Sequence, residues 1–234
     1  IVVDQLTARF GDNTIFDRVS FKVNRGEILV ILGGSGCGKS TMLKHLIGLY
    51  KPTTGRVLIN GVNINTDDEG VLRQVRMDLG VLFQSGALFG SMTLAENVSL
   101  PIQEYTDLDW ATIELIVRMK LALVNLAGYE DAFPSELSEG MKKRAGIARA
   151  LALDPQILFL DELPRAPRDV QNAVLELALD YRFHFHELPI GWRVVSAANA
   201  NMDVYSGTQL DPALYDRFLK VQFKPTFDEW FAYA

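Results

Sequence analysis

The 234-residue chain carries a single cysteine, Cys37, so no disulfide can form within it. Its core must close without covalent staples, which fits a reducing compartment. It has no apolar run approaching the ~20 residues needed to cross a bilayer. The first ten residues, IVVDQLTARF, place Asp4 and Arg9 inside an apolar stretch, so they do not read as a signal peptide. The chain begins with Ile rather than Met, and direct membrane insertion is not expected; any membrane association has to come through a partner. A basic excess is lacking too. The 23 Lys and Arg stand against 29 Asp and Glu, a net charge of −6, which argues against a nucleic-acid partner. There are no internal repeats and no low-complexity tract. What is present is an ordinary globular composition, 48% hydrophobic and 22% charged, long enough for one sizeable α/β domain with a small inserted subdomain.

Apolar runs alternate with helical patterns. GEILVILGG (26–34) predicts a buried strand entering a glycine turn, followed by a helix from about 39 to 49. GRVLING (55–61) and LGVLFQ (79–84) predict short strands, and QILFLD (156–161) and WRVVSAA (192–198) two more. Between about 91 and 152 the pattern is helical, with Met141, Ala145, Ala148 and Leu151 on one face of SEGMKKRAGIARALAL. Helices are also expected after Pro167 and over LDPALYDRF. The fold class is therefore α/β: a P-loop nucleotide-binding fold with a mostly parallel central sheet, helices on both faces, and an inserted helical subdomain. Residues 1–87 and 152–234 form the expected core and 88–151 the insertion.

GGSGCGKS (33–40) fits the spacing G-x-x-x-x-G-K-[ST], between a predicted strand and a predicted helix. Glycines at 33, 36 and 38 let backbone N–H groups turn inward around phosphate oxygens. The helix that follows turns its positive end toward the same anion. The expected nucleotide contacts are Gly33, Gly34, Ser35, Gly36, Cys37, Gly38, Lys39, Ser40 and Thr41. Of these, Lys39 reaches the β/γ-phosphates and the Ser40 hydroxyl ligates Mg2+. Asp161, closing the strand ILFLD, is the expected anchor for that ion, and Glu162 is placed to polarise an attacking water. ATP and Mg2+ are thus the expected ligands.

Three further stretches make about the first 162 residues resemble the ATP-binding subunit of ABC transporters. VLFQSGALF puts Gln84 where that family has a glutamine loop, which implies contact with Mg2+ and with a membrane partner. ELSEGMKKRAGIARALALDPQILFLDE is similar to the family's L-S-G-G-Q signature stretch. Ser138 and Gly140 match it, and by resemblance bind the γ-phosphate of ATP held by the opposite subunit. Glu139 and Met141 depart from it; a carboxylate there would repel phosphate unless turned away. Phe10, in ARFG, stands where the family stacks an aromatic on adenine. FQSGALFGSMTLAENVSLPIQEYTDL narrows the resemblance to the ATPases of Mla- and Mkl-type lipid transporters. That implies an integral permease partner, a homodimer as a compatible assembly, and a cytoplasmic, peripheral location at the inner membrane.

Beyond Glu162 the pattern changes. The family continues with Pro, a G-L-D loop and a strand ending Ser-His-Asp; here Leu163 follows, and after RVVS comes Ala197. DELPRAPRDVQNAVLELA, VVSAANAN and LDPALYDRF instead resemble MoxR-like AAA+ ATPases, with Asn199 as a polar sensor and Arg217 as an arginine finger. His184 and His186, alternating in RFHFHEL, read as a solvated edge rather than a metal site. Two functions follow as expectations. The first is an ATP-hydrolysing subunit of a lipid ABC transporter, its efficiency reduced by the missing loop and histidine. The second is an engineered or recombined ABC/AAA+ chimera that binds nucleotide with little hydrolysis and no transport role.

Overall fold

The computed structural model describes residues 1–34, 36–83, 86–161, 182–183, 186–187, 192–199 and 219–223. In chain order these form β1 (Val2–Phe10), β2 (Asn13–Lys22), β3 (Ile28–Gly33), α1 (Lys39–Leu46), β4 (Thr54–Ile59), β5 (Val62–Asn63), α2 (Glu69–Met77) and β6 (Leu79–Leu82). There follow α3 (Leu94–Tyr105), α4 (Trp110–Leu123), a 3-10 turn (Pro134–Glu136), α5 (Glu139–Ala150) and β7 (Ile157–Leu160). The short β8 (Arg182–Phe183) and β9 (His186–Glu187) pair antiparallel, and β10 (Arg193–Asn199) and β11 (Leu219–Phe223) complete the set.

Five strands form one parallel sheet in the order β11-β3-β10-β7-β6. Its inner strands β3, β10 and β7 are buried on both faces, which is why they read as unbroken apolar runs, whereas β11 at one edge is largely exposed. Successive residues of β3, β7 and β10 go to opposite sides. Ile28, Val30, Leu32, Leu158, Leu160, Val194 and Ala198 join one core with α3, α4 and α5. Leu29, Ile31, Ile157, Phe159, Val195 and Ala197 join the other with α1 and α2. Each fully buried Leu or Ile in these layers contributes about 1.5–3 kcal/mol of apolar transfer.

A second sheet, antiparallel and ordered β2-β1-β4-β5, covers the α1 side. Of its strands only β4 was expected, from GRVLING; β1, β2 and β5 were not. Pairing of β1 with β2 shifts register three times, and Gln5 and Arg18 carry positive φ (48° and 44°), so no clean period-2 pattern survives in the sequence. The helix α2 was also unforeseen, although Asp68 caps it by accepting from Gly70 N and Val71 N.

The helical layer follows its caps. Thr93 and Glu96 form a reciprocal capping box at α3 (Glu96 N to Thr93 Oγ1 3.2 Å, Thr93 N to Glu96 Oε2 2.7 Å). Asp109 caps α4 and Ser138 caps α5. Asn97 is fully buried and fastens the preceding loop: its amide nitrogen donates to the carbonyls of Phe89, Met92 and Thr93, and its oxygen accepts from Phe89 N. Helix α1 stops at Leu46, short of the expected 49, because the chain turns at Gly48 with φ 73°.

Candidate nucleotide site

The phosphate loop leaves the sheet between two neighbours. Gly33, the last residue of β3, is level with Asn199 of β10 on one side and Phe223 of β11 on the other. That crowding explains the first glycine: a Cβ on Gly33 would lie 2.2 Å from Cys37 Sγ and 3.1 Å from the Phe223 carbonyl. Gly38 caps α1 with φ 93°, a left-handed conformation, and a Cβ there would meet Ile15 Cγ2 at 2.5 Å. The Cys37 side chain thus packs against Gly33.

Lys39 opens α1 and is only 6% exposed. Its ammonium donates to Gly33 O (3.1 Å) and Gly34 O (2.6 Å), which holds the charge at the mouth of the loop. Thr41 sits one turn before His45, whose Nδ1 donates to the Thr41 carbonyl at 2.8 Å. Ser40 Oγ donates to Asp161 Oδ1 at 3.2 Å across 121 residues of sequence. Asp161 is fixed from behind by its own N–H on the Leu82 carbonyl, 3.0 Å. A hydroxyl and a carboxylate at this separation are the hard oxygen donors Mg2+ takes, the remaining positions going to phosphate and water. The residues present therefore fit the ion. The loop glycines and Lys39 likewise suit a polyphosphate.

Asn199 ends β10 two residues beyond Ala197, and Ala197 lies fully buried opposite Ile31. The sequence comparison set Ala197 against the family's histidine; in the sheet, the position level with the phosphate loop is 199.

Phe10 is 49% exposed at the end of β1 and meets Tyr50 edge-on at 5.6 Å. Tyr50 touches His45, His45 touches Phe16, and Phe16 underlies Gly38, so an aromatic row links Phe10 to the loop. Nothing in the sequence pattern marked Tyr50.

Ser138 caps α5 by accepting from Met141 N at 3.3 Å, with Gly140 in the first turn. The awkward Glu139 is turned along the helix: its carboxylate accepts from Lys142 Nζ at 2.8 Å, and that contact holds its pKa below the usual carboxylate range. The repulsion expected of Glu139 is answered within one turn of its own helix. Gln84, Ser35, Glu162 and Arg217 lie outside the described residues.

One residue that braces this region went unseen in the sequence. Arg149, near the end of α5, donates to the carbonyls of Ala87 (2.8 Å) and Gly86 (2.9 Å) and lies over the Phe89 ring at 5.9 Å. It ties the segment just after Gln84 to the helix that Ser138 begins. Burial pushes its pKa down. Beside it runs a mostly apolar groove of about 610 Å³, lined by Leu79, Phe83, Ala87, Phe89, Pro101 and Arg149 among others.

The model of the ABC transporter family matches residues 16–164, and the chain belongs to that family. It is 47% identical over 181 residues to the probable ribonucleotide transport ATP-binding protein mkl of Mycobacterium tuberculosis, covering 77% of this chain and 50% of the relative. It is 44% identical over 162 residues to the intermembrane phospholipid transport system ATP-binding protein MlaF of Haemophilus influenzae, covering 69% of this chain and 61% of the relative. The chain thus spans between about half and two thirds of these relatives' lengths. A dimeric bacterial ABC transporter cassette superimposes with a TM-score of 0.75 at 25% identity, over 94% of each chain.

These matches correct the expectation of an AAA+ segment and of a chimera, which they do not support. The methionine import ATP-binding protein MetN of Rhizobium meliloti aligns at 39% identity over 97% of this chain, across the supposed junction. The physical reason is visible in the sheet. β10, beyond the junction, pairs in register with β3 and β7 before it, and its alternate residues enter the same two cores. Ala197 is a local departure within the continuous sheet, and Leu163 lies outside the described residues.

Proposed function

We propose that the chain is the Mg-ATP-binding and hydrolysing subunit of an ABC-type transporter of envelope lipids. The observation that carries this reading is the Ser40–Asp161 contact of 3.2 Å, which joins the phosphate loop to the acidic strand in one donor set. The backbone N–H groups of 33–38 and the start of α1 receive the phosphates. Lys39 exchanges its carbonyl acceptors for β- and γ-phosphate oxygens. Ser40 and Asp161, with Gln84, hold Mg2+, which when bound neutralises charge developing on the transferred phosphoryl group. Glu162 orients and polarises the water, Asn199 holds it by hydrogen bonding, and Phe10 stacks on the base.

Residues 88–151 act as a helical subdomain whose Ser138 and Gly140 complete the site of a second copy. Arg217 has no place in that arrangement. The groove beside Arg149 receives an apolar element of an integral permease. Its position against the segment flanking Gln84 supports this, as do relatives named for phospholipid and ribonucleotide transport. No described helix is long and apolar enough to cross a membrane, so the membrane-spanning part falls to that partner. The subunit would then work at the cytoplasmic face of the inner membrane.

The test is phosphate release from ATP by the purified chain, alone and with its permease. Lys39→Ala and Ser138→Ala abolish it, whereas Arg217→Ala leaves it intact; activity that survives Ser138→Ala but not Arg217→Ala overturns the reading. Because Asn199 offers no titratable group, turnover is expected about 10²–10³-fold below that of a cassette whose site is fully equipped.

A further inference from the structure

Phe10 stands at the tip of the β1–β2 hairpin, paired with Asn13 across the turn. The same hairpin meets the phosphate loop two residues earlier. There Ala8 pairs with Phe16, and Ile15 and Phe16 face Gly38. Two strand residues at about 3.3 Å each put Phe10 roughly 7 Å further along, a distance that a ribose and its base can span from phosphates in the loop. Phe10 is 49% exposed, and a T-shaped contact takes up at most one face of its ring, so a broad π-face stays open.

The contact that fixes this ring comes from Tyr50. The two centroids are 5.6 Å apart with the planes at 70°. Tyr50 is half-buried and tied to α1 in three ways. Its N–H donates to the Lys44 carbonyl at 3.2 Å, its ring meets His45 edge-on at 5.7 Å, and the Lys44 ammonium lies 5.3 Å from its centroid. His45 is bonded in turn to the carbonyl of Thr41, the residue after Ser40. The segment beyond Tyr50 is also stitched to β1: Thr53 N–H donates to the Thr7 carbonyl at 2.8 Å, and Arg9 N–H to Thr53 Oγ1 at 3.1 Å. The helix that presents Lys39 and Ser40 therefore also carries the ring on which Phe10 leans. An exposed side chain without such a brace loses rotamer freedom when a ligand stacks on it, which weakens binding; a braced one has lost that freedom already.

We propose that Tyr50 is a positioning residue for the nucleotide base. It holds Phe10 in the orientation that stacks, and so sets how strongly the site prefers a base-bearing ligand to a bare polyphosphate. The inference rests on Phe10 as the stacking ring. Tyr50 touches no ligand itself and acts only through Phe10.

The experiment compares Mg-ATP with Mg-tripolyphosphate, titrated by calorimetry into the full chain. Tyr50→Ala is expected to weaken ATP binding about threefold to tenfold and to leave tripolyphosphate within about twofold. Tyr50→Phe keeps the ring and should retain both affinities. Phe10→Ala should lower the preference for ATP at least as far, and adding Tyr50→Ala to it should lower it no further, because the two rings act as one unit. If Tyr50→Ala unfolds the chain, Tyr50→Leu keeps the apolar bulk without the ring and is expected to show the same selective loss. Equal losses for both ligands would reduce Tyr50 to a support for α1 and overturn the proposal, as would an unchanged ATP affinity or additive effects of the two substitutions. The two readings fail differently. A Phe10→Ala chain that keeps its preference for ATP removes base stacking on Phe10 and this inference with it. Loss of the preference in Phe10→Ala but not in Tyr50→Ala overturns this inference alone.

Discussion

Two buried cations stand at opposite ends of one sheet, and the chain treats them differently. Lys39, at the carboxyl ends of the strands, rests on the carbonyls of Gly33 and Gly34, acceptors it can exchange for phosphate. Arg193, at the amino ends, has a single acceptor on Asn60 and two nitrogens with none. The first environment is built by the loop itself: glycines at 33 and 38 bring main chain close, and a helix begins at the ammonium. The second is built by tertiary neighbours from β2, the β4–β5 turn and the segment before β6. Burial alone does not make a functional cation. What separates the two is whether the surroundings supply an exchangeable set of partners or seal the donors away.

The same substitution at each end gives the sharpest contrast. Lys39→Met is expected to weaken Mg-ATP binding by about 100-fold, because charge-assisted contacts to phosphate are lost. Arg193→Met should leave that affinity within about twofold. It should also leave stability unchanged or raise it by ~1–4 kcal/mol, as apolar replacement of a buried ion often does. Equilibrium binding and denaturant unfolding on both variants check these outcomes; equal losses of ATP affinity would erase the distinction between the two ends.

Gly38→Ala tests the loop that serves Lys39. A φ of 93° and a contact of 2.5 Å to Ile15 oppose any Cβ, so a loss of about 1–3 kcal/mol is expected in unfolding free energy. Gly34→Ala, with open space around its Cβ position, should cost less.

The smallest effect concerns His45, buried between the loop helix and the aromatic row. Burial pushes its imidazole below the usual histidine range. The unfolded chain takes up this proton near pH 6.5, and the folded chain only at lower pH. The contribution is therefore complete above about pH 6.5 and is lost as pH falls below it. Tm measured between pH 7.5 and 5.5 should drop for the wild type, and drop less for His45→Gln.

Much of the site was legible because its chemistry is local in sequence. Gly33 to Ser40 lie on consecutive residues between a buried strand and a helix, so spacing alone located the loop. Asp161 followed from four apolar residues ending in a carboxylate. What stayed hidden depends on distant partners. Arg149 matters because of carbonyls 62 and 63 residues away, and Arg193 because of Asn60, 133 residues away. The antiparallel sheet escaped because bulges and left-handed residues blur its alternation. The place of Asn199 rather than Ala197 beside the loop required the register of β10 against β3, which no single strand encodes. The AAA+ resemblance shows the complementary error: short local likeness suggested a junction where the sheet is continuous.

The most direct test of the account is ATP affinity measured by calorimetry with and without Mg2+, on the wild type and on Asp161→Asn. If Ser40 and Asp161 together form the metal–phosphate site, Mg2+ strengthens ATP binding to the wild type by about tenfold or more, and Asp161→Asn removes most of that gain. An Asp161→Asn chain that keeps the full Mg2+ dependence would contradict it.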